Sequence, residues 1–173
     1  KKALIFDCDN TLWGGVIGED GFDGLEMSPS SARGLIYREV QHIALTLYKQ
    51  GVIIGLCSKN NPKDVDEVLA NHPDMILKDD FIAIKKINWD NKASNLEAIA
   101  SELNIGIDSL VFVDDSSFET NLILENLPEV EVLKVPNELY NYPNALRDKL
   151  GLFFKNSATF EDTNKTAIYK QHI

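Results

Sequence analysis

Ala3-Leu4-Ile5-Phe6-Asp7-Cys8-Asp9-Asn10-Thr11-Leu12-Trp13-Gly14-Gly15 is the stretch from which the rest of the chain can be read. Four apolar residues that stop abruptly at a pair of carboxylates read as a buried parallel strand carrying acids to the carboxyl edge of a sheet. Open α/β sheets keep their sites along that edge. The segment that follows, from Trp13 to Ser31, is rich in glycine and acids. It predicts tight turns forming a small flap over the strand edge, about 13–31, too short for a lid domain.

Outward from this strand, the apolar residues Ala32, Ile36, Val40, Ile43 and Leu47 recur at helical spacing up to Gly51. Val52–Cys57 is a second buried strand, followed at once by Ser58. Asn61 and Pro62 mark the cap and first position of a helix over about 63–70. Phe81–Ile84 is expected to be a short strand. Asp90 is expected to cap a helix with the apolar stripe Ala93, Leu96, Ile99, Ala100 and Leu103, which puts Lys92 in its first turn. Leu110–Val113 is a third strong strand ending in Asp114-Asp115, with a helix over about 118–126 and a further strand over 130–135. Residues 137–150 and 161–172 read as two helical segments. Strands alternating with helices predict a doubly wound parallel sheet.

The 173 residues, 44% of them hydrophobic, suffice for one core, so residues 1–173 are read as a single domain. The first strand starts almost at residue 1 and the last helical segment runs uncapped to Ile173, so a domain excised from a longer chain is expected. A net charge of −10 and the lack of a basic stripe argue against nucleic acid as a partner. No apolar run approaches the roughly 20 residues of a membrane span, so no membrane partner is expected either. The two cysteines, Cys8 and Cys57, have neither metal-ligand nor disulfide-framework spacing, and reduced cytoplasmic thiols are the default expectation. The three histidines lie far apart in sequence, and nothing groups them as ligands.

Three strands thus end in Asp7/Asp9, Ser58 and Asp114/Asp115, and a helix begins at Lys92. In a parallel sheet these ends share one edge. Asp7-x-Asp9-x-Thr11, a serine after an apolar strand, a lysine at a helix start and an acidic pair after another strand resemble, in order, the four motifs of the haloacid dehalogenase (HAD) superfamily of phosphotransferases. The resemblance implies a Rossmann-like core, here capless. It makes Asp7 the nucleophile that forms an aspartyl-phosphate, and Asp9 the acid and base on the leaving oxygen and on water. It implies Mg²⁺ held by Asp7, the Asp9 backbone carbonyl and Asp114, with Asp115 a direct or water-mediated ligand. Ser58 and Lys92 would hold the phosphoryl oxygens, and Thr11 completes the first motif. The physical need is plain, since a carboxylate can approach a phosphoryl anion only when cations neutralise the encounter.

Longer blocks resemble the FkbH-like branch of that superfamily: Asp7 to Val16, Gly18-Glu19-Asp20-Gly21, Cys57 to Asn61, His72 to Met75, Ile87-Asn88-Trp89, Leu103 to Gly106 and Val113-Asp114-Asp115. Members in polyketide biosynthesis are glyceryltransferase/phosphatases. They take a phosphoglyceryl unit from 1,3-bisphosphoglycerate, remove its phosphate and load glycerate on the phosphopantetheine arm of an acyl carrier protein. The resemblance therefore implies those two partners. The alternatives are a plain HAD phosphomonoesterase acting on a small molecule or macromolecule, and a non-catalytic carrier-docking domain. After Asp114-Asp115 the branch commonly has Asn-Pro and then Glu-Arg, whereas this chain has Ser116-Ser117-Phe118-Glu119-Thr120, without the basic residue.

Cys8 has two readings. The resemblance suggests a thiol that accepts the glyceryl group as a thioester. A continued strand would instead put Cys8 on the face opposite Asp7 and Asp9, as a small packing residue with a raised pKa. Cys57 reads as core. Trp13 and Trp89 either line a pocket or pack. Without a lid the cleft should be open, which suits a phosphate carried on an arm, and Arg33, Arg38, Lys59, Lys85 and Lys86 are the candidate basic residues for an acidic carrier.

Overall fold

The computed structural model describes residues 1–154. Five strands, β1 (Ala3–Phe6), β2 (Ile53–Ser58), β3 (Ile84–Ile87), β4 (Leu110–Asp114) and β5 (Glu131–Lys134), form one sheet in the order β3-β2-β1-β4-β5. Every pairing is parallel, with Phe6 opposite both Leu56 and Val113. The helices are α1 (Ile17–Asp20), α2 (Ala32–Lys49), α3 (Pro62–Asn71), α4 (Lys92–Glu102), α5 (Ser117–Asn126) and α6 (Tyr142–Arg147).

β1 is central and buried throughout, and its alternation divides the core. Leu4 and Phe6 join Val40, Leu47, Val65, Tyr142 and Leu146, so α2, α3 and α6 cover one face. Ala3 and Ile5 join Leu96, Ile99, Phe112 and Ile123, so α4 and α5 cover the other. This is the doubly wound arrangement read from the sequence. No helix among the described residues is long and apolar enough to cross a membrane.

Several local readings change. The third strand is Ile84–Ile87, not 81–84, because Asp79–Phe81 forms a 3₁₀ turn whose Phe81 ring stacks edge-on against Tyr48, 5.1 Å between centroids. Asn91, not Asp90, caps α4: its side chain accepts from the Ala93 and Ser94 amides at 2.7 and 3.3 Å. Asp90 instead gives its amide to the side chain of Asn88. On α2, Ala32 is exposed while the polar Gln41 is fully buried. Gln41 donates to the Leu12 carbonyl at 2.7 Å and accepts from the Ile76 and Leu77 amides, so it bonds backbone that would otherwise be unpaired in the core. Between 137 and 150 a 3₁₀ turn at Leu139–Asn141 leads into the short α6. The helical reading of 161–172 lies outside the described residues.

The flap is a loop closed on itself. Gly14 and Glu26 exchange both backbone hydrogen bonds at 2.8 Å, with α1 and a 3₁₀ turn at Phe22–Gly24 inside the closure. Ser31 caps α2 by accepting from the Gly34 amide.

Candidate active site

The ladder continues one residue past β1, with the Asp7 amide donating to the Val113 carbonyl at 2.9 Å. The chain then turns sharply. Thr11 and Leu12 both donate to the Cys8 carbonyl, and Asn10 takes a left-handed conformation, φ 52°. The turn is latched from the far end of the chain, where the buried Tyr142 hydroxyl donates to the Thr11 carbonyl at 2.8 Å.

Three predicted carboxylates meet here. One oxygen from each of Asp7, Asp114 and Asp115 lies within 4.8 Å of the others. Lys92, the first residue of α4 and only 4% exposed, points its ammonium at the group: 2.6 Å to Asp114 Oδ2 and 3.2 Å to Asp7 Oδ1. The same ammonium is 3.7 Å from Glu119 on α5, which also faces Lys59 at 3.5 Å. Burial would lower the lysine's pKa, but the surrounding carboxylates raise it above the usual value. Burial pushes the Asp7 carboxyl well up, opposed by Lys92, and pushes Asp115 up to about 6.

One lysine facing three carboxylates leaves a negative surplus, all of it on hard oxygen donors in a recess. Asp7, Asp114 and Asp115 therefore fit an oxygen-ligated divalent cation such as Mg²⁺. Asp9 does not belong to this group through its side chain. Its Oδ1 accepts from the Trp13 indole at 3.1 Å and the Ile17 amide at 3.0 Å, and its Oδ2 accepts from Asn60 at 3.0 Å. Asn60 also reaches the buried Ser58 hydroxyl at 3.4 Å, so it ties the second motif to the first. Thr11 is fully buried, and among the described residues neither its hydroxyl nor one Glu119 oxygen has a hydrogen-bond partner.

Cys8 is fully buried, in the same core cluster as Leu12 and Trp13. Desolvation, reinforced by the Asp7 charge and opposed by a hydrogen bond with Ser58, pushes its thiol well above the ordinary range. Cys57 is buried too, and its thiol is pushed up to about 12. Trp13 packs in the core, whereas Trp89 is 72% exposed and does not. Of the five candidate basic residues, Arg33, Lys59, Lys85 and Lys86 are each paired with a carboxylate: Glu26, Glu119, Asp66 with Asp79, and Glu102.

Asn60 and Glu119 are the neighbours that sequence reading left without a role. Asn60 stands inside a block that carried the resemblance and Glu119 in the stretch that departs from it, and only packing shows what each touches.

No protein-family model and no curated protein matches the chain. Among solved structures, the chain is similar to the N-terminal part of the protein BF1531 from Bacteroides fragilis, described as containing a phosphatase domain complexed with Mg. The identity is 42% and the TM-score 0.82, over 85% of this chain and 39% of that one. The chain thus spans about two fifths of that relative's solved length. It also resembles a HAD family enzyme, bt-2542, from Bacteroides thetaiotaomicron, complexed with magnesium and inorganic phosphate, at 11% identity and TM-score 0.52, over 77% of this chain and 93% of that one. A predicted HAD-like family hydrolase from Porphyromonas gingivalis matches at 14% identity and TM-score 0.52, over 84% and 96%. The chain has the fold of these HAD-family proteins.

Proposed function

We propose that this chain is a Mg²⁺-dependent phosphatase domain of the HAD type, with Asp7 as its nucleophile. The observation that carries the reading is the convergence of Asp7, Asp114 and Asp115 on one point beside the buried Lys92 ammonium. The similarity to the Mg-complexed Bacteroides fragilis domain supports it.

The residues divide the work as their positions allow. An Asp7 oxygen attacks phosphorus as the bond from phosphorus to the leaving oxygen breaks, giving an aspartyl-phosphate. Asp9, oriented by Trp13, Ile17 and Asn60, gives the leaving oxygen a proton and later takes one from the water that hydrolyses the acyl phosphate. Lys92 and Ser58 donate to the phosphoryl oxygens as charge moves onto them. Asp7, Asp114 and Asp115 would hold Mg²⁺, which would supply the remaining charge neutralisation.

Glyceryl transfer to an acyl carrier protein is the second reading, and it rests on the FkbH-like blocks of sequence. With Cys8 as acyl carrier it needs an accessible thiolate. The burial of Cys8 and the upward push on its pKa favour hydrolysis as the first reading. The test is phosphate release from p-nitrophenyl phosphate and from 1,3-bisphosphoglycerate in Mg²⁺, with intact mass followed in parallel. Release that vanishes in Asp7→Asn is the expected result, and a rate unchanged in that variant would sink the assignment. A hydroxylamine-labile glyceryl adduct lost in Cys8→Ala would promote the transfer reading over hydrolysis.

A further inference from the structure

Glu119 is a buried charged group beside the site to which the phosphatase mechanism gives no task. It stands in the first turn of α5, three residues after the Ser116 cap, whose hydroxyl accepts from the Glu119 amide at 3.2 Å. A serine cap followed at that spacing by a glutamate ordinarily closes a reciprocal box, in which the glutamate side chain returns to the amide of the cap. Here the box stays open. The Ser116 amide donates to Asp114 Oδ1 at 3.0 Å instead, and the Glu119 side chain turns inward until only 8% of it is exposed.

A buried carboxylate is unfavourable unless something compensates it. Glu119 Oε1 has no hydrogen-bond partner among the described residues, so the compensation rests on Oε2. That oxygen lies 3.7 Å from the Lys92 ammonium and 3.5 Å from the Lys59 ammonium. One atom thus faces two cations from different elements, Lys92 at the start of α4 and Lys59 immediately after the end of β2. Both separations exceed the ordinary N–H···O length, so the carboxylate holds the two by charge while leaving their hydrogens free.

The two lysines differ in what else they meet. Lys92 donates to Asp114 at 2.6 Å, whereas the Lys59 ammonium makes no hydrogen bond among the described residues, and 36% of that side chain is exposed. Its neighbours in sequence both belong to the site: Ser58 is buried at the end of β2, and Asn60 donates to Asp9 at 3.0 Å. α5 brings no lysine or arginine of its own, and its Thr120 hydroxyl is turned back on the Ser116 and Ser117 carbonyls. The second positive charge at this end of the site therefore comes from the turn after β2.

Resting on the phosphatase reading, we propose that Lys59 is a second phosphoryl-binding cation and that Glu119 is the residue that positions it. Glu119 keeps the Lys59 ammonium beside that of Lys92, from which like-charge repulsion would otherwise drive it into solvent. Lys59 then donates its free hydrogens to a phosphoryl oxygen, alongside Lys92 and Ser58. Lys59 touches the substrate, and Glu119 acts through it.

The test compares the native chain with Lys59→Gln, Lys59→Arg, Glu119→Gln and the double variant Lys59→Gln/Glu119→Gln, all in Mg²⁺. Two quantities are read: kcat and KM for p-nitrophenyl phosphate, and the affinity for inorganic phosphate by calorimetry. Lys59→Gln is expected to lower both kcat/KM and phosphate affinity about tenfold, and Lys59→Arg, which keeps the charge, to recover most of each. In the Glu119→Gln background the further change Lys59→Gln is expected to cost less than about twofold, because the lysine has already lost its anchor. Losses that multiply in the double variant would give Glu119 a structural role only and overturn the proposal. So would a Lys59→Gln chain within about twofold of native in both readouts. Lys59 is half-exposed, so its replacement leaves the core intact and decides the matter even where Glu119→Gln fails to fold. A native chain that releases no phosphate would defeat the phosphatase reading, and the phosphate titrations would then decide the role of Lys59. A native chain that neither releases nor binds phosphate overturns both.

Discussion

The Lys92 ammonium and the Asp114 carboxylate form a fully enclosed ion pair, 2.6 Å apart, at the point where α4 begins and β4 ends. Asp114 is 0% exposed, and Asp7 stands 3.2 Å from the same ammonium. Removing the lysine strands buried negative charge. Lys92→Ala is therefore expected to lower the unfolding free energy by roughly 3–5 kcal/mol in urea titration without divalent cation. Added Mg²⁺ should recover part of that loss, because a cation bound only by the folded state stabilises it. An Mg²⁺-insensitive loss would mean that the carboxylates do not form a cation site.

Asp115 is a proton acceptor in the range where the site is expected to work. Burial pushes its carboxyl up to about 6, aided by the charge of Asp114 and opposed by a hydrogen bond with Asp7. Above that pH the carboxylate is ionised and free to ligate, and below it a proton occupies the position a cation needs. Mg²⁺ affinity should fall as the pH drops through 6, by up to about tenfold per unit for this one group. Asp115→Asn should remove the part of the pH dependence centred near 6 and leave the part due to Asp7. Titration calorimetry between pH 5 and 8 reads both.

Both thiols should be silent in the native protein. Cys8 and Cys57 are fully buried and their pKa values are raised, so neither thiolate is present at pH 8. Iodoacetamide is expected to leave the native mass unchanged and to alkylate both cysteines in urea. Cys8→Ala should keep phosphate release within about threefold of native, with a modest stability loss from the small cavity. Rapid native labelling of Cys8 would restore the acyl-carrier reading.

At Gly34, in the first turn of α2, the flap backbone packs directly on the helix. A Cβ there would lie 2.3 Å from the Ser28 carbonyl oxygen and 2.9 Å from the Ser28 nitrogen, both backbone atoms that cannot step aside. Gly34→Ala should cost about 1–3 kcal/mol. It should also expose the 14–26 loop to limited proteolysis at temperatures where the native flap resists.

The sheet and the site core were legible because their signals are local. An apolar strand that ends abruptly in polar residues is written in consecutive letters: β1 and β4 end in acids and β2 ends in Ser58. β3 is an edge strand whose middle residues are Lys85 and Lys86, both paired with surface acids, so its polarity hides it. The more apolar 81–84 drew the assignment because Phe81 is buying contact with Tyr48 from a turn. Gln41, Asn60 and Glu119 were illegible for another reason. Each is polar because of what it meets 29, 51 or 27 positions away: the Leu12 carbonyl, the Asp9 carboxylate and the Lys92 ammonium. Lys134 is opposite Asp114 only through strand register, which no single stretch encodes.

The Tyr142 to Thr11 hydrogen bond joins positions 131 residues apart. A chain made from its amino end exposes the Asp7–Thr11 turn first, yet β1 has both neighbours only after residue 114 has been made, and the turn gains its latch only after residue 142. The Asp7–Thr11 turn thus cannot complete its contacts until residue 142 has been made, and closure over so long a stretch of chain is slow. A nascent chain stalled before residue 142 would carry Asp7, Asp9, Ser58, Lys92, Asp114 and Asp115 and still lack the hydroxyl that fixes the Asp7–Thr11 turn. Synthesis past residue 142 is therefore a precondition for the finished turn.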